Sequence, residues 1–188
     1  MKREGMRLLV VDFDYFFPVP QDPRDPLAPL FAWAHFETPY YLLEAWEERA
    51  LAFLLRGLSL PEARGWEGFW GRFAFAREAV LYYAESNALA FHPEVRRGVE
   101  EVVLFDAHHD AGYRPLGEEP ACDDWMVFYH RLGARLRVYY PPWRDASLEP
   151  EPKVPVAREV ASSPFWKKLP CPRWPSRPFL PGPFPWRP

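Results

Sequence analysis

Cysteine and long apolar runs are both scarce in this chain of 188 residues. The two cysteines, Cys122 and Cys171, exclude a disulfide-rich scaffold and a four-cysteine zinc site, and whether they pair with each other stays open. Charged residues or prolines interrupt every apolar stretch within about 18 residues, so none is long enough to span a bilayer. The N-terminus also lacks the apolar segment of a secretory signal. We therefore expect a soluble cytoplasmic protein.

A strong net charge is missing as well. The formal charge is -3 at pH 7, which gives no reason to expect nucleic acid or an anionic membrane as a partner. Hydrophobic residues make up 48% of the chain and aromatic residues 18%, so a folded core is expected rather than disorder. The length suits one ordinary domain and leaves the oligomeric state open.

Proline, by contrast, is abundant. The chain contains 24 prolines, and more than half of them follow Tyr140. Because proline lacks a backbone N–H group and has a fixed φ, residues 162–188 are predicted to be neither helix nor central strand. Tryptophan and phenylalanine rings are interleaved with these prolines, which is unusual for a free linker. We predict an arm packed against the domain formed by residues 1–161; a proline-rich ligand for a partner's aromatic groove is the alternative.

Alternating strand and helix patterns predict an α/β fold, with a single three-layer domain and a mostly parallel sheet. Short apolar or β-branched runs predict strands at residues 6–11, 78–84, 102–105, 134–140 and 154–161. Periodicity and capping patterns predict helices at residues 41–55, 91–98 and 124–132. Asp123 is the expected cap of the last helix, and Gly57 is expected to end the first.

Polar residues directly follow the first three predicted strands. They are Asp12 with Asp14, residues 85–87, and residues 106–110. In open α/β sheets, ligands bind beyond the carboxyl ends of the strands. We therefore expect these polar residues to meet at one edge of the sheet and to form the functional site.

The segment VLFDAHHDAGY predicts a metal site. Side chains two residues apart point to the same side of an extended segment, so Asp106, His108 and Asp110 would face one way and His109 the other. Two carboxylates and one imidazole suit Mn²⁺, Fe²⁺ or Zn²⁺ better than Ca²⁺. The simpler alternative is a solvated loop whose charges cap the next helix.

The segment LLVVDFDYFFP follows the same logic with Asp12 and Asp14. Two carboxylates this close repel each other, and a cation between them relieves the repulsion. A turn or a helix cap is the alternative. Together the two motifs offer five ligands, which exceeds what one catalytic metal ion usually takes and approaches what a two-metal site needs.

The two motifs together resemble those of the arginase and deacetylase superfamily, whose metal ligands form Asp-x-His-x-Asp and Asp-x-Asp patterns. In arginases the Asp-x-Asp motif comes second. Here it comes first, which resembles a short bacterial branch that includes the peptide arginases, enzymes that convert arginine side chains of a ribosomal peptide to ornithine. The stretch CDDWM and the proline–tryptophan tail are also similar to that branch.

The resemblance implies an arginase-like fold that holds two Mn²⁺ ions, or Fe²⁺ or Zn²⁺ in their place. It assigns as ligands Asp12, Asp14, Asp106, His108 and Asp110. Asp12 and Asp106 are the candidates to bridge the two ions. The family usually has one further histidine ligand, and at the corresponding place this chain has Asn87, with Glu85 close by as a more competent ligand.

The implied reaction is hydrolysis of a C–N bond. Two metal ions lower the pKa of a shared water to about 7, and the resulting hydroxide would attack a guanidinium or amide carbon. The expected substrate is an arginine-containing peptide, which would give ornithine and urea, or a small guanidino or amide compound. The candidate general acids are His109, His130 and Asp124. A guanidinium also needs a carboxylate partner, for which Glu85, Asp123 and Asp124 are candidates.

Two other functions fit parts of the pattern. Because Asn87 replaces the expected histidine, the chain is alternatively a degenerate protein of the same fold that binds metal or peptide without turnover. The first motif alone resembles the haloacid-dehalogenase-type phosphatases, in which Asp12 would be the nucleophile, Asp14 the acid/base and Mg²⁺ the cofactor. That function leaves DAHHD unexplained and has Phe16 where those enzymes usually carry Thr or Val.

Overall fold

The structure is a computed structural model that describes residues 6–18, 42–58, 62–77, 79–84, 86–113 and 115–161. The predicted arm at residues 162–188 lies outside the described residues, as do Glu85 and Cys171. The predictions for the arm, for Glu85 as a ligand and for a Cys122–Cys171 pair therefore stay predictions.

Four parallel strands form the sheet of the described chain. Their order across the sheet is β1-β2-β3-β4, the same as their order along the chain. The strands are β1 Met6–Val11, β2 Val99–Phe105, β3 Arg135–Tyr140 and β4 Ala157–Val160. This arrangement confirms the α/β class, the parallel sheet and four of the predicted strands.

Two α-helices are described, α1 at Leu42–Leu55 and α2 at Trp125–Arg131. Both were expected close to these bounds. The turn after α1 reaches Gly57, whose φ of 67° is in the left-handed region that glycine adopts without strain. The cap of α2 is Asp124 rather than Asp123, one residue later than predicted. Short 3-10 helices occur at Phe13–Phe16, Trp70–Arg72, Asn87–Phe91 and Ala146–Leu148.

Two of the predicted elements are wrong. Residues 79–84 form no strand and are exposed, with Leu81 85% and Tyr83 93% accessible; a β-prone composition forms a strand only where a neighbouring strand and a core receive it. The predicted helix at 91–98 is replaced by the 3-10 helix Asn87–Phe91, which ends at His92. His92 has a ψ of 144°, because the proline that follows it, Pro93, disfavours helical backbone at the preceding residue.

The core covers both faces of β2. Val102 and Leu104 pack with α2 on one face, whereas Val103 and Phe105 pack on the other face with an aromatic cluster. That cluster includes Phe16 from the 3-10 turn after β1. Five successive residues of β2, from 101 to 105, are therefore buried, as expected for a parallel strand covered on both sides.

Among the described residues, no helix combines the length and the apolar character that crossing a bilayer requires.

Candidate metal centre

The register of the sheet brings two acidic residues side by side. Val11 of β1 is paired with Phe105 of β2, so the next residues, Asp12 and Asp106, follow neighbouring strand ends. The backbone hydrogen bond from Asp12 N to Phe105 O, at 2.9 Å, extends the pairing by one step. The prediction that polar residues meet beyond the carboxyl ends of the strands is confirmed for these residues.

A tight turn after β1 positions Asp14. The 3-10 helix Phe13–Phe16 begins directly after Asp12, whose Oδ1 accepts a hydrogen bond from Asp14 N at 3.0 Å. This turn directs the carboxylate of Asp14 to the loop after β2. There Asp14 Oδ1 accepts from Ala107 N at 3.2 Å, and Oδ2 lies 2.8 Å from His108 Nδ1.

The loop after β2 gathers Asp106, His108 and Asp110. Asp106 Oδ1 accepts from His108 N at 2.8 Å and lies 3.4 Å from the Nδ1 atom of the same histidine. Asp110 has a φ of 47°, a left-handed conformation that short polar side chains tolerate. It is held there by α2, since Met126 N donates to its carbonyl at 3.2 Å and Trp125 Nε1 donates to its Oδ2 at 2.8 Å.

Asn87 belongs to the same cluster. Its Nδ2 amide donates to Asp12 Oδ2 at 2.5 Å, to Asp110 Oδ2 at 2.9 Å and to Asp106 Oδ2 at 3.3 Å. Asn87 begins a 3-10 helix capped by Ser86, whose Oγ accepts from Ala88 N at 3.1 Å. A 3-10 turn, and not a strand end, therefore brings this side chain to the acidic residues.

Asp106 divides the cluster into two halves. Its Oδ1 lies in the half that also contains Asp14 and His108, whose ligand atoms are all within 4.8 Å of one another. Its Oδ2 lies in the half formed by Asp12, Asp110 and Asn87. One carboxylate thus presents one oxygen to each half. In this arrangement Asp106 could contact two cations at once.

Negative charge in the cluster is not balanced by the side chains. Burial, followed by the charges of neighbouring carboxylates, raises the pKa of Asp12 to about 8 and the pKa of Asp106 well above its usual value. Burial also raises the pKa of Asp110 to about 7, although the Trp125 hydrogen bond opposes it. In the metal-free protein Asp12 therefore retains its proton at neutral pH, and Asp110 is partly protonated.

The ion pair between Asp14 and His108 behaves differently. Burial favours the neutral form of each group, but their mutual hydrogen bond and attraction outweigh it. The pKa of Asp14 is therefore lowered and that of His108 is raised to about 9. Both side chains are partly exposed, Asp14 to 25% and His108 to 34%, whereas Asp106 is 1% exposed. Asp12 and Asn87 are partly exposed as well. Each half of the cluster therefore contains partly exposed side chains.

We expect the metal-free protein to lose stability as the pH rises from about 6 to about 9. Asp12, Asp106, Asp110 and His108 all have a pKa that is higher in the folded state than in the unfolded chain, so their contribution is present at low pH and is lost as pH passes the folded pKa values. Asp14 acts oppositely, but only near its unfolded value of 3.8.

Urea unfolding in EDTA at pH 6, 7.5 and 9 measures this loss, expected to be on the order of 3 kcal/mol. A free energy of unfolding that stays constant or rises with pH would contradict the charge imbalance. Addition of Mn²⁺ should remove the trend, because a cation then replaces the protons.

Two of the three predicted general acids have partners outside the acidic cluster, and the third is exposed. His109 is fully buried; its Nδ1 accepts from Ala111 N at 2.9 Å, and its Nε2 lies 3.0 Å from Pro150 O. Asp124 is buried and its Oδ1 accepts from Ala121 N at 2.7 Å. His130 is exposed in the last turn of α2. His109 was predicted to point away from His108 and Asp110, and its contacts agree with that prediction.

The sequence analysis gave no role to three residues that contact the loop after β2. Trp125 donates to Asp110, Tyr113 accepts from His109 N, and Glu149 accepts from Tyr113. Trp125 lies within the quoted stretch CDDWM, so a signal was present there. For Glu149 we find no signal in the sequence. It lies 36 residues from its partner Tyr113, and only the folded chain brings the two side chains together.

None of the protein-family models, curated proteins and solved structures compared with this chain matches it. The resemblance to the arginase superfamily therefore rests on the acidic motifs, and the function has to follow from the geometry described above.

Proposed function

We propose that this chain is an arginase-like metallohydrolase that binds two divalent ions, most naturally Mn²⁺, and cleaves a C–N bond other than a peptide bond. The observation that carries the proposal is the position of Asp106, whose two carboxylate oxygens face two different sets of ligands. The expected substrate is a guanidinium group, above all an arginine side chain in a peptide, which would yield ornithine and urea.

The donor set fits such ions. His108, Asp14 and Asp106 Oδ1 would hold one ion. The Oδ2 atoms of Asp12, Asp106 and Asp110, which all contact Asn87 Nδ2, would hold the other. Carboxylates with a single imidazole suit Mn²⁺, with Fe²⁺ or Zn²⁺ as substitutes. Asn87 would contribute to the second position by turning its carbonyl oxygen inwards, a rotation that leaves the shape of the side chain unchanged.

Bound divalent ions would supply hydroxide at neutral pH and stabilise the negative charge that develops during hydrolysis. The side chains of the protein have two other tasks. Asp14 and His108 are partly exposed, and their carboxylate–imidazole pair would contact a substrate that approaches from this side. Asp106 is buried and would lie on the inner side of the bound ions.

The proposal includes an arginase-like three-layer domain, an arm at residues 162–188 packed on that domain, and a cytoplasmic location. The parallel sheet supports the first of these, since the acidic residues follow adjacent strand ends. The aromatic rings interleaved with the prolines of the arm support the second, since a free linker rarely carries so many apolar rings.

Metal content and product release test the proposal together. Purified protein dialysed against Mn²⁺ and then against buffer should retain two equivalents, and it should release urea from arginine-containing peptides rather than acetate from acetylated amines. His108→Ala should lose bound metal while keeping the fold, because a strand-end ligand contributes little to the core. If this variant retains metal, the assignment of His108 as a ligand is wrong.

A degenerate binding protein of the same fold is the second candidate. It is favoured by Asn87, whose amide is hydrogen-bonded to three carboxylates, and by the placement of His109 and Asp124 among other partners. Two equivalents of Mn²⁺ without urea or acetate release would favour it. A phosphatase would instead require Mg²⁺ and would survive Asp110→Asn, a change that should abolish metal-dependent activity in our proposal.

A further inference from the structure

One segment without metal ligands contacts both ligand-bearing loops. It follows β3, comprises residues 141–153 and is called the brace below. Trp143 Nε1 donates to Tyr15 O at 3.2 Å, in the turn that carries Asp14. On the other loop, Pro150 O accepts from His109 Nε2 at 3.0 Å, and Lys153 N donates to Ala111 O at 2.9 Å.

A partly buried chain of hydrogen bonds joins the loop after β2 to the brace. His109 N donates to the hydroxyl of Tyr113 at 2.9 Å, and that hydroxyl donates to a carboxylate oxygen of Glu149. The second oxygen of Glu149 accepts from Arg144. Glu149 is 7% exposed, so its charge depends on these partners.

Ring packing fixes the same histidine a second time. The rings of His109 and Tyr113 are stacked, with centroids 4.2 Å apart and planes within 6°. Because Ala111 N donates to its Nδ1, the proton of His109 lies on Nε2, where the carbonyl of Pro150 accepts it. Both ring nitrogens and the backbone N–H of His109 therefore have partners. Because His108 and Asp110 are its neighbours in the chain, their positions are restricted as well.

We propose that the brace positions the two ligand-bearing loops relative to each other, and that Trp143, Tyr113 and Glu149 are the positioning residues. The inference rests on the proposed metal site. Metal ligands must be held within about 0.5 Å of their working geometry. The two loops come from separate strands, and a segment hydrogen-bonded to both limits how far they can separate. The brace therefore sets the affinity for metal without supplying a ligand.

Three conservative variants remove single links of the brace. Trp143→Phe deletes the indole N–H, Tyr113→Phe deletes the hydroxyl but keeps the stacked ring, and Glu149→Gln removes the charge. Isothermal titration with Mn²⁺ should show affinity about 10- to 100-fold weaker in each, the loss typical of partners that orient metal ligands. Thermal unfolding in EDTA measures any purely structural loss separately.

Glu101→Gln is the matched control. Glu101 is also a buried carboxylate paired with arginine, 2.6 Å from Arg7 Nε, but it lies in the first half of β2, away from the strand end that carries Asp106. Its removal should leave Mn²⁺ affinity within about twofold of the unmodified protein.

Hydrogen exchange on the metal-free protein separates this inference from the proposed function. Brace variants should speed amide exchange in residues 106–113, whereas Glu101→Gln should not. If the brace variants bind Mn²⁺ as tightly as the unmodified protein, the inference is wrong although the metal site stands. If the unmodified protein binds no Mn²⁺, the proposed function is wrong. If amide exchange in residues 106–113 is then also unchanged in the brace variants, the inference about the brace is wrong as well.

Discussion

Asp106→Asn is expected to abolish binding of both Mn²⁺ ions, with a loss of affinity greater than about 100-fold, beyond that of losing an outer partner. Asparagine keeps the size of the side chain and the acceptor for His108 N. It removes the negative charge from the one carboxylate whose oxygens face both halves of the cluster. A loss confined to one ion would show that Asp106 does not bridge.

The same substitution should not damage the metal-free fold. The pKa of Asp106 is raised well above its usual value by burial and by the neighbouring carboxylates, so its charged form is already unfavourable. We expect the free energy of unfolding in EDTA at pH 8 to stay equal or to rise. Glu101→Gln, which removes a buried carboxylate earlier in the same strand, should retain Mn²⁺ binding. A fall in stability for Asp106→Asn, with binding intact, would contradict the charge imbalance.

Asn87→Asp is expected to change stability and metal affinity in opposite directions. The substitution replaces a donor to three carboxylates with a fourth acid. Without metal, this adds an unpaired charge, and the free energy of unfolding at pH 8 should fall by about 3 kcal/mol. With Mn²⁺, the added carboxylate is a better ligand than an amide, so affinity should rise by about tenfold.

Asn87→Ala separates charge from the loss of the amide. It removes the donor without adding an acid, so the stability of the metal-free protein should fall by only about 1 kcal/mol, and Mn²⁺ affinity should fall rather than rise. Urea unfolding in EDTA and titration with Mn²⁺ measure both quantities. If Asn87→Asp binds Mn²⁺ more weakly than the unmodified chain, the Asn87 side of the cluster is not a cation site.

The strand ends could be read from the sequence because the signal there is local. In β1 and β2 a continuous apolar run is followed at once by an acid, a pattern that is typical of strands in a parallel sheet. Parallel pairing then places Asp12 and Asp106 at the same edge without further information. The same reasoning places His108 and Asp110 at this edge, since both follow Asp106 within four residues.

Local sequence patterns were not sufficient where the conformation or contacts of a residue depend on distant parts of the chain. Residues 79–84 have the composition of a strand but are exposed coil, because the pattern does not say whether another strand is available to pair with them. His109 has the chemistry of a general acid, yet its nitrogens contact Ala111 N and Pro150 O. Which face of a loop is buried is decided by the segment that packs upon it.

The amino-acid sequence by itself determined the α/β class, the parallel sheet and the five acidic or imidazole side chains that the cluster contains, since each depends on residues a few positions apart. Tertiary structure alone decided that Asp106 faces both halves, that Asn87 donates to three carboxylates and that the brace contacts both loops. Apart from the local pair of Asp106 and His108, these contacts join residues 19 to 128 positions apart. Only the packing of the folded chain fixes such distances, and a pattern along the sequence carries no record of them.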